Sequence, residues 1–139
     1  MYEEIDKIIK TAKTVAMVGV SPRHESDSNR VGRYLMAHGY DIIPINPTAD
    51  EILGRRAYGS LRDLKQPPDV VQIFRKPEAV PAIVEDAIAI GAKVVWMQLE
   101  IVHEEAAARA REAGLAVVMD HCMKREHERL NGIPPDQEW

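Results

Sequence analysis

The stretch Thr14–Pro47, TVAMVGVSPRHESDSNRVGRYLMAHGYDIIPINP, decides the fold. It begins with the apolar run 14–20, whose β-branched residues are typical of a strand covered on both faces. Residues 29–38 then place apolar side chains at helical spacing, and Gly39 is suited to end that helix. Residues 41–45 form a second short apolar run. A strand, a helix and a second strand in this order predict a βαβ unit with parallel strands.

The same alternation continues along the chain. We predict a short helix at 3–12, three further strands at 70–74, 94–97 and 115–119, and later helices at 77–90, 103–113 and 123–130. Residues 48–68 have weaker periodicity and are expected to be partly loop. The pattern predicts an α/β chain with a Rossmann-like, doubly wound parallel sheet of about five strands, in a single domain. We expect that domain to span 1–132 and residues 133–139 to form a tail.

The amino-acid composition excludes several classes of function. The chain has 139 residues, 45% of them hydrophobic and 29% charged, with a formal net charge of -4. An acidic balance does not favour a nucleic-acid surface. The single cysteine, Cys122, excludes an intrachain disulfide and a cysteine zinc cluster. No apolar run approaches the ~20 residues that span a membrane, and no signal peptide is indicated. We therefore expect a cytoplasmic protein without membrane or nucleic-acid partners.

The loop after the first strand is the first candidate binding element. In an open parallel sheet, ligands bind beyond the carboxyl ends of the strands. Gly19 allows a close approach of backbone to a ligand, and Ser28 or Asn29 is placed to cap the following helix. The free amides of a helix start favour a phosphate. The alternative is that Gly19 only makes a tight turn between strand and helix.

The residues after the second strand narrow the identity of the nucleotide. The first loop already departs from GxGxxG because Ser21 occupies the second glycine position. A dinucleotide site usually has an acid at the end of the second strand to hold the ribose, but Asn46-Pro47 stands there. Arg55 and Arg56 come next, within expected reach of an extra phosphate. NAD is therefore disfavoured, whereas NADP stays open on these residues.

Two cations follow the third long strand, in Phe74-Arg75-Lys76-Pro77. They fall on the expected ligand edge, and the alternative is a solvated loop. Arginines of the first loop and helix add to a locally positive mouth, which suits a multiply charged ligand; they are Arg23, Arg30 and Arg33.

Two further candidates have structural alternatives. Trp96, before Met97-Gln98, is placed to pack against an adenine or a pantetheine arm at the rim, or else belongs to the core. Cys122 follows the last strand, where neighbouring cations would favour a reactive thiolate able to form a mixed disulfide. The alternative is a small, buried, inert cysteine. His121 and His127 would not share a helical face, so we predict no metal site there.

Taken together, these residues resemble a known family. The pieces AMVGVSP, SNRVGRYLMAHGYDIIPINP, VVQIFRKPEAVP, GAKVVWMQ and DHCMKREHERL fall in register over about residues 5–132. They resemble the stand-alone CoA-binding proteins of bacteria and archaea, which are similar to the CoA-binding domain of the succinyl-CoA synthetase α subunit. The resemblance does not extend to the synthetase's phosphohistidine domain, so its ligase activity is not expected here.

The resemblance implies coenzyme A along the carboxyl edge of the sheet. The diphosphate would lie on Gly19-Val20-Ser21-Pro22-Arg23 and on the helix start Ser28-Asn29-Arg30. The Asn46-Pro47 turn and the Phe74-Arg75-Lys76-Pro77 loop would flank the adenosine and its 3′-phosphate, in agreement with the extra cations such as Arg55. The pantetheine arm would run towards Trp96-Met97-Gln98 and Cys122.

The expected function is to bind coenzyme A or an acyl-CoA as a non-catalytic carrier, sensor or thiol partner. No catalytic set is evident and no protein partner is identified. The alternatives are an NADP-linked oxidoreductase, although no Tyr-x-x-x-Lys pair is evident, and a nucleotide-responsive regulatory partner.

Overall fold

A computed structural model describes residues 2–135 of the chain. Its central element is a five-stranded parallel sheet with the strand order β2-β1-β5-β6-β7. The strands are β1 (Thr14–Val18), β2 (Asp41–Ile45), β3 (Glu51–Ile52), β4 (Arg55–Arg56), β5 (Val70–Ile73), β6 (Val94–Met97) and β7 (Ala116–Val118). The helices are α1 (Tyr2–Thr11), α2 (Asp27–Ala37), α3 (Val80–Ile90), α4 (Glu104–Glu112) and α5 (Met123–Asn131).

Helices cover both faces of the sheet because side chains alternate along each strand. Val15 and Met17 of β1 point into a core shared with α1, α2 and α5. Ala16 and Val18 point into a second core, shared with α3 and α4. The chain leaves β1 towards β2 on one side and returns to β5 on the other. The direction of winding therefore reverses between β1 and β5, and such a point is where ligands bind in open sheets.

The predicted fold class is confirmed, with small differences at the element ends. β1 stops at Val18, two residues earlier than predicted, because Gly19 has a left-handed φ of 89°. α2 begins at Asp27, two residues earlier than predicted, because Ser26 caps it by accepting a hydrogen bond from the backbone N–H of Asn29. Residues 48–68 contain the short antiparallel pair β3–β4 and a turn of 3-10 helix, Leu61–Asp63.

The predicted tail lies partly outside the described residues. Gly132 ends α5 in a left-handed conformation, φ 65°. Residues 133–135 come after it, and 136–139 are not described. The proposed boundary at 132 stays a prediction. Within residues 2–135, no helix has both the length and the apolar character needed to cross a bilayer.

A hydrogen bond between aromatic side chains joins α2 to α5. The Tyr34 hydroxyl lies 2.7 Å from Nδ1 of His127. Burial raises the pKa of Tyr34 to about 12, helped by the nearby charge of Glu128, so the phenol keeps its proton. Burial also lowers the pKa of His127 below 6.5, and His38 adds to the effect. The folded state therefore favours a neutral imidazole that accepts this hydrogen bond.

This arrangement predicts a loss of stability in mild acid. Because the pKa of His127 is lower in the folded chain than in the unfolded one, the unfolded chain binds its proton first as the pH falls. Stability should be complete above pH 6.5 and decline as the pH falls towards the folded value. Urea unfolding between pH 5 and 8 measures this, and His127→Gln should flatten that part of the profile. His24→Gln, at an exposed loop position, is the control. Superimposable profiles of His127→Gln and the unaltered protein would refute the assignment.

Candidate ligand site at the carboxyl edge

The first loop passes directly over the loop that follows β5. A Cβ atom on Gly19 would lie 2.7 Å from Cδ of Arg75 and 2.8 Å from the carbonyl oxygen of Phe74. The backbone N–H of Gly19 donates to the carbonyl of Ile45 at 3.0 Å. Glycine is therefore required here both by its φ and by its close contact with the loop after β5, which supports the tight-turn alternative, whereas an approach to a ligand stays a prediction. The loops after β1, β2 and β5 meet at this residue.

The start of α2 is held against the first loop by two buried polar side chains. Ser28 Oγ accepts a hydrogen bond from the backbone N–H of Ser21 at 2.9 Å. Asn29 Nδ2 donates to the carbonyl of Ser21 at 2.9 Å, and its Oδ1 accepts from Arg33. Ser28 and Asn29 were both predicted as site residues. In the structure their buried side chains form hydrogen bonds with the first loop and fix its conformation. The backbone N–H of Asn29 donates to Ser26 Oγ, which leaves the N–H groups of Asp27 and Ser28 as the amides of this helix start without a helical partner.

The exposed part of the first loop carries its other predicted residues. Val20 is fully buried, whereas Pro22 and Arg23 are exposed. Arg23 pairs with Glu25 at 2.8 Å, and Arg30 pairs with Asp27 at 3.0 Å. Both arginines therefore lie beside an acid.

The loop after β2 is fastened to the loop after β1. Asn46 Nδ2 donates to the carbonyl of Val20 at 3.0 Å. Its Oδ1 accepts from the backbone N–H and the hydroxyl of Thr48, at 2.8 and 2.9 Å. The Asn46 side chain is thus engaged within the protein, and Pro47 next to it is exposed. This loop therefore forms a wall of the edge.

A cleft of about 360 Å³ opens between the start of α2 and the loops after β5 and β6. Its volume falls within the range of small-molecule sites. Its walls are Asp27, Phe74, Arg75, Lys76, Gln98, Leu99, Glu100 and Ile101. Arg75 and Lys76 are exposed and form no ion pair within residues 2–135. The cleft thus combines two available cations with the aromatic ring of Phe74.

Sequence reasoning missed the loop after β6. Glu100 and Asp120 both adopt left-handed backbone conformations, with φ of 68° and 59°. The backbone N–H of Glu100 donates to Oδ1 of Asp120 at 2.6 Å, which joins the loops after β6 and β7. Non-glycine residues in this conformation are uncommon and concentrate at functional sites. The only signal in the sequence was the position of this loop directly after a buried strand.

Trp96 and Met97 do not reach the rim. Both side chains are fully buried. Trp96 Nε1 donates to the carbonyl of His121 at 2.8 Å, so the indole ties β6 to the start of the segment before α5. Gln98 is 4% exposed, and its Oε1 accepts from Gln72 Nε2 and from the backbone N–H of Met123. The core alternative therefore applies to Trp96.

Arg55 lies at the wrong end of the sheet for the predicted site. It pairs with Asp41, the first residue of β2, and so lies by the amino ends of the strands. The chain turns back through the β3–β4 hairpin and runs parallel to β2 up to Tyr58, which bridges to Ile45. Arg56 stacks over the Tyr58 ring at 4.7 Å. Arg55 therefore lies away from the ligand edge, and the cations that line the cleft are Arg75 and Lys76.

The comparison with known families assigns the chain. The family described as "CoA binding domain" matches residues 13–128. The chain belongs to this family. In this member of the CoA-binding domain family, the carboxyl-edge cleft lies between the start of α2 and the loops after β5 and β6.

Relatives share both the sequence and the fold. The chain is 40% identical to the uncharacterized protein YneT of Bacillus subtilis over 89% of this chain and 92% of that one. It is similar to a solved hypothetical protein from Pyrococcus horikoshii, with a TM-score of 0.91 and 47% identity over 95% of this chain and 93% of the other. It is 31% identical to an ADP-forming acetate–CoA ligase of Methanocaldococcus jannaschii over 63% of this chain, which spans only 12% of the ligase.

The thiol of Cys122 is buried in the protein core. Cys122 lies at the carboxyl edge as predicted, but it is 1% exposed and belongs to the core with Met123 and Trp96. Its backbone starts α5 as the residue before the first turn. The inert alternative therefore has the support of burial, because thiol reactivity requires access.

We expect the Cys122 thiol of the native protein to react with a thiol reagent about 100-fold more slowly than in urea-unfolded protein. Absorbance of the released chromophore from a disulfide reagent measures both rates. Mass spectrometry after incubation with CoA disulfide should likewise find no CoA-sized adduct. A native rate close to that of the unfolded chain, or an adduct, would restore the mixed-disulfide hypothesis.

Proposed function

We propose that this chain binds coenzyme A, or an acyl-CoA, along the carboxyl edge of its sheet. The observation that carries the proposal is the cleft beside the reversal point of the sheet, in a chain that belongs to the CoA-binding domain family. The diphosphate takes the exposed first loop from Gly19 to Arg23 and the amides at the start of α2. Those amides carry the positive end of the helix dipole, which favours an anion.

The 3′-phosphate and the adenosine take the loop after β5. Arg75 and Lys76 are exposed cations on that loop, and Phe74 offers an apolar surface. Asp27 also lines the cleft, but its carboxylate is paired with Arg30. The pantetheine arm then continues past Gln98 towards the loop after β6, where Leu99 is 40% exposed. Apolar contact with Leu99 suits the arm or an acyl group.

We further propose that the protein acts as a carrier, sensor or buffer for the ligand. The groups that meet at the edge are backbone amides, cations and apolar side chains, which bind and position. A hydrolytic or transfer reaction requires a nucleophile with an oriented base. The imidazole closest in sequence to Cys122, His121, instead pairs with Glu126 at 3.3 Å. The match to the acetate–CoA ligase covers only 12% of that enzyme, and its activity is not proposed for this chain.

The loop after β5 tests this placement. Arg75→Gln/Lys76→Gln should weaken CoA binding about tenfold or more, because two charge contacts to phosphate are lost. Binding of dephospho-CoA, which lacks the 3′-phosphate, should weaken less. Isothermal titration of both ligands measures the difference.

Arg55→Gln is the matched control for that titration. It removes one guanidinium at the amino end of the sheet, where it pairs with Asp41. It should leave CoA affinity within about twofold, since an exposed charge more than a Debye length away is screened. Equal losses for CoA and dephospho-CoA would contradict the 3′-phosphate assignment, and an effect of Arg55→Gln as large as that of the double variant would contradict the placement.

A further inference from the structure

A second cavity lies at the opposite, amino edge of the sheet. It measures about 410 Å³ and opens between the ends of α1, α2 and α5. Lys13 directly precedes β1 and Tyr40 directly precedes β2, so this cavity is separated from the first loop by the length of β1. Five residues of strand span about 16 Å. The cavity is therefore distinct from the CoA cleft.

The polar groups that line this cavity are basic or neutral. Lys10, Lys13, His38 and His127 line it, and no acid does among the described lining residues. Lys10, Lys13 and His38 are exposed, and His127 is partly buried.

The acids nearest to the cavity already have partners. Asp69 accepts from the backbone N–H groups of Lys13 and Thr14. Asp41 pairs with Arg55, and Glu128 pairs with Lys124 at 3.0 Å. The lysines of the cavity are thus not neutralised by these carboxylates.

The hydrogen bonds of the two histidines orient both rings. The protonated phenol of Tyr34 donates to Nδ1 of His127, so the neutral His127 ring carries its proton on Nε2. Nδ1 of His38 lies 2.8 Å from the carbonyl of Tyr34, which only accepts, so Nδ1 of His38 is the donor. The ring centroids are 4.8 Å apart. Within residues 2–135, neither Nε2 atom makes a hydrogen bond, and both rings line the cavity.

The carboxyl ends of three helices lie around the cavity. Basic side chains often offset the negative ends of helices, and three helices end here. Some carbonyls near these ends accept from other donors: Tyr40 Oη donates to Ile9 O at 2.6 Å, and Asn131 Nδ2 donates to His127 O at 2.9 Å. The backbone N–H of Gly39 donates to Met36 O at 3.2 Å. Within the part of the chain that the structure describes, the ammonium groups of Lys10 and Lys13 form no ion pair, so they and the two imidazole Nε2 atoms can contact an external partner.

We propose that this amino-edge cavity is a second ligand site, which binds the phosphate or sulfate group of a small molecule. His127 Nε2–H donates to one oxygen of the anion. His38 Nε2, on the neighbouring ring, contacts another oxygen of the anion. Lys10 and Lys13 close the site from α1 and from the start of β1. The proposal does not depend on CoA binding at the other edge.

The test uses sulfate, which stays doubly charged across the working pH range. The full chain is titrated with sodium sulfate at pH 6.5, and the histidine Nε2 resonances are followed by 15N NMR. Sodium chloride at equal ionic strength controls for screening. We expect saturable shifts of His38 and His127 with sulfate only, whereas His24 and His103 stay unmoved. Identical shifts with chloride would overturn the proposal.

A matched pair of double variants completes the test. Lys10→Gln/Lys13→Gln removes both lysines of the cavity and should weaken sulfate binding roughly tenfold. Lys7→Gln/Lys65→Gln removes two lysines that do not line it and should change the affinity less than about twofold. None of the four side chains is buried, so both variants are expected to fold. Equal losses of sulfate affinity in the two variants would show that the effect comes from net charge alone and would overturn the proposal.

Discussion

Gly19→Ala is expected to destabilise the protein by about 3 kcal/mol and to abolish most ligand binding at the carboxyl edge. Two costs combine. A left-handed φ of 89° costs an L-residue about 1–2 kcal/mol. The added methyl also lies 2.8 Å from the carbonyl oxygen of Phe74, which is backbone and cannot rotate away. Relief requires the first loop and the loop after β5 to separate, and those two loops form the proposed site. Urea unfolding and CoA titration measure the two losses.

Gly39→Ala separates these two costs. Gly39 has a φ of 93°, almost the same as Gly19, but an added Cβ there would meet no atom within 4 Å. We expect this variant to lose only the conformational cost, about 1–2 kcal/mol, and to bind CoA normally. Equal stabilities of the two variants would show that the crossing of the loops after β1 and β5 is not as tight as the structure has it.

Lys124→Met is expected to destabilise the protein by about 3 kcal/mol. Lys124 and Glu128 are 2% and 4% exposed and form an ion pair at 3.0 Å on α5. Lys124 Nζ also lies 5.1 Å above the Tyr34 ring. Removing the ammonium leaves the Glu128 carboxylate buried without its charged partner, and that loss exceeds the worth of the pair itself. The free energy of unfolding in urea at pH 7 is the readout.

Two controls distinguish a stranded charge from lost packing. Lys124→Met/Glu128→Leu removes both charges and should recover most of the loss, to within about 1 kcal/mol of the unaltered protein. Arg109→Met breaks an exposed pair with Glu85 and should cost less than about 1 kcal/mol. A double variant as unstable as Lys124→Met would indicate that the aliphatic stem and the cation–π contact, not the charge, account for the effect.

The fold was predictable because local patterns of apolar residues along the chain indicate its main strands and helices. β6, at Val94–Met97, is buried on both faces and forms a continuous apolar run, and β2 coincides with its predicted bounds. The hairpin β3–β4 was not predicted, since strands of two residues have no periodicity to detect. Its turn falls at Leu53-Gly54, where Leu53 has a positive φ of 59° that sequence preference does not announce.

The candidate site was predictable at the level of loops but less so for side chains. Arg75 and Lys76 lie in the cleft because they directly follow a buried strand. The prediction for Arg55 was wrong because the hairpin reverses the chain, and its nearness to Pro47 in the sequence does not reveal that reversal. For Trp96 the sequence left both a rim and a core position open, and the core position applies because its side chain packs in the core shared with α1, α2 and α5.

For Cys122 too, the sequence did not show whether the side chain is buried or exposed at the rim. The sequence places it at the correct edge, and only the packing of α5 against the sheet shows that the thiol faces the core. Loop position is thus a reliable guide to the edge of a parallel sheet, whereas the direction of a side chain there is set by tertiary contacts.

Isothermal titration of the purified chain with CoA and, separately, with NADPH tests most directly whether the carboxyl edge is a CoA site. The two ligands share a diphosphate and an adenosine with an additional phosphate, which is on the 3′ position in CoA and on the 2′ position in NADPH, and they differ in the arm attached to the diphosphate. We expect saturable one-site binding of CoA and little response to NADPH, with the CoA signal reduced by Arg75→Gln/Lys76→Gln and unaffected by Arg55→Gln. Saturable binding of NADPH with no response to CoA would contradict the proposed function.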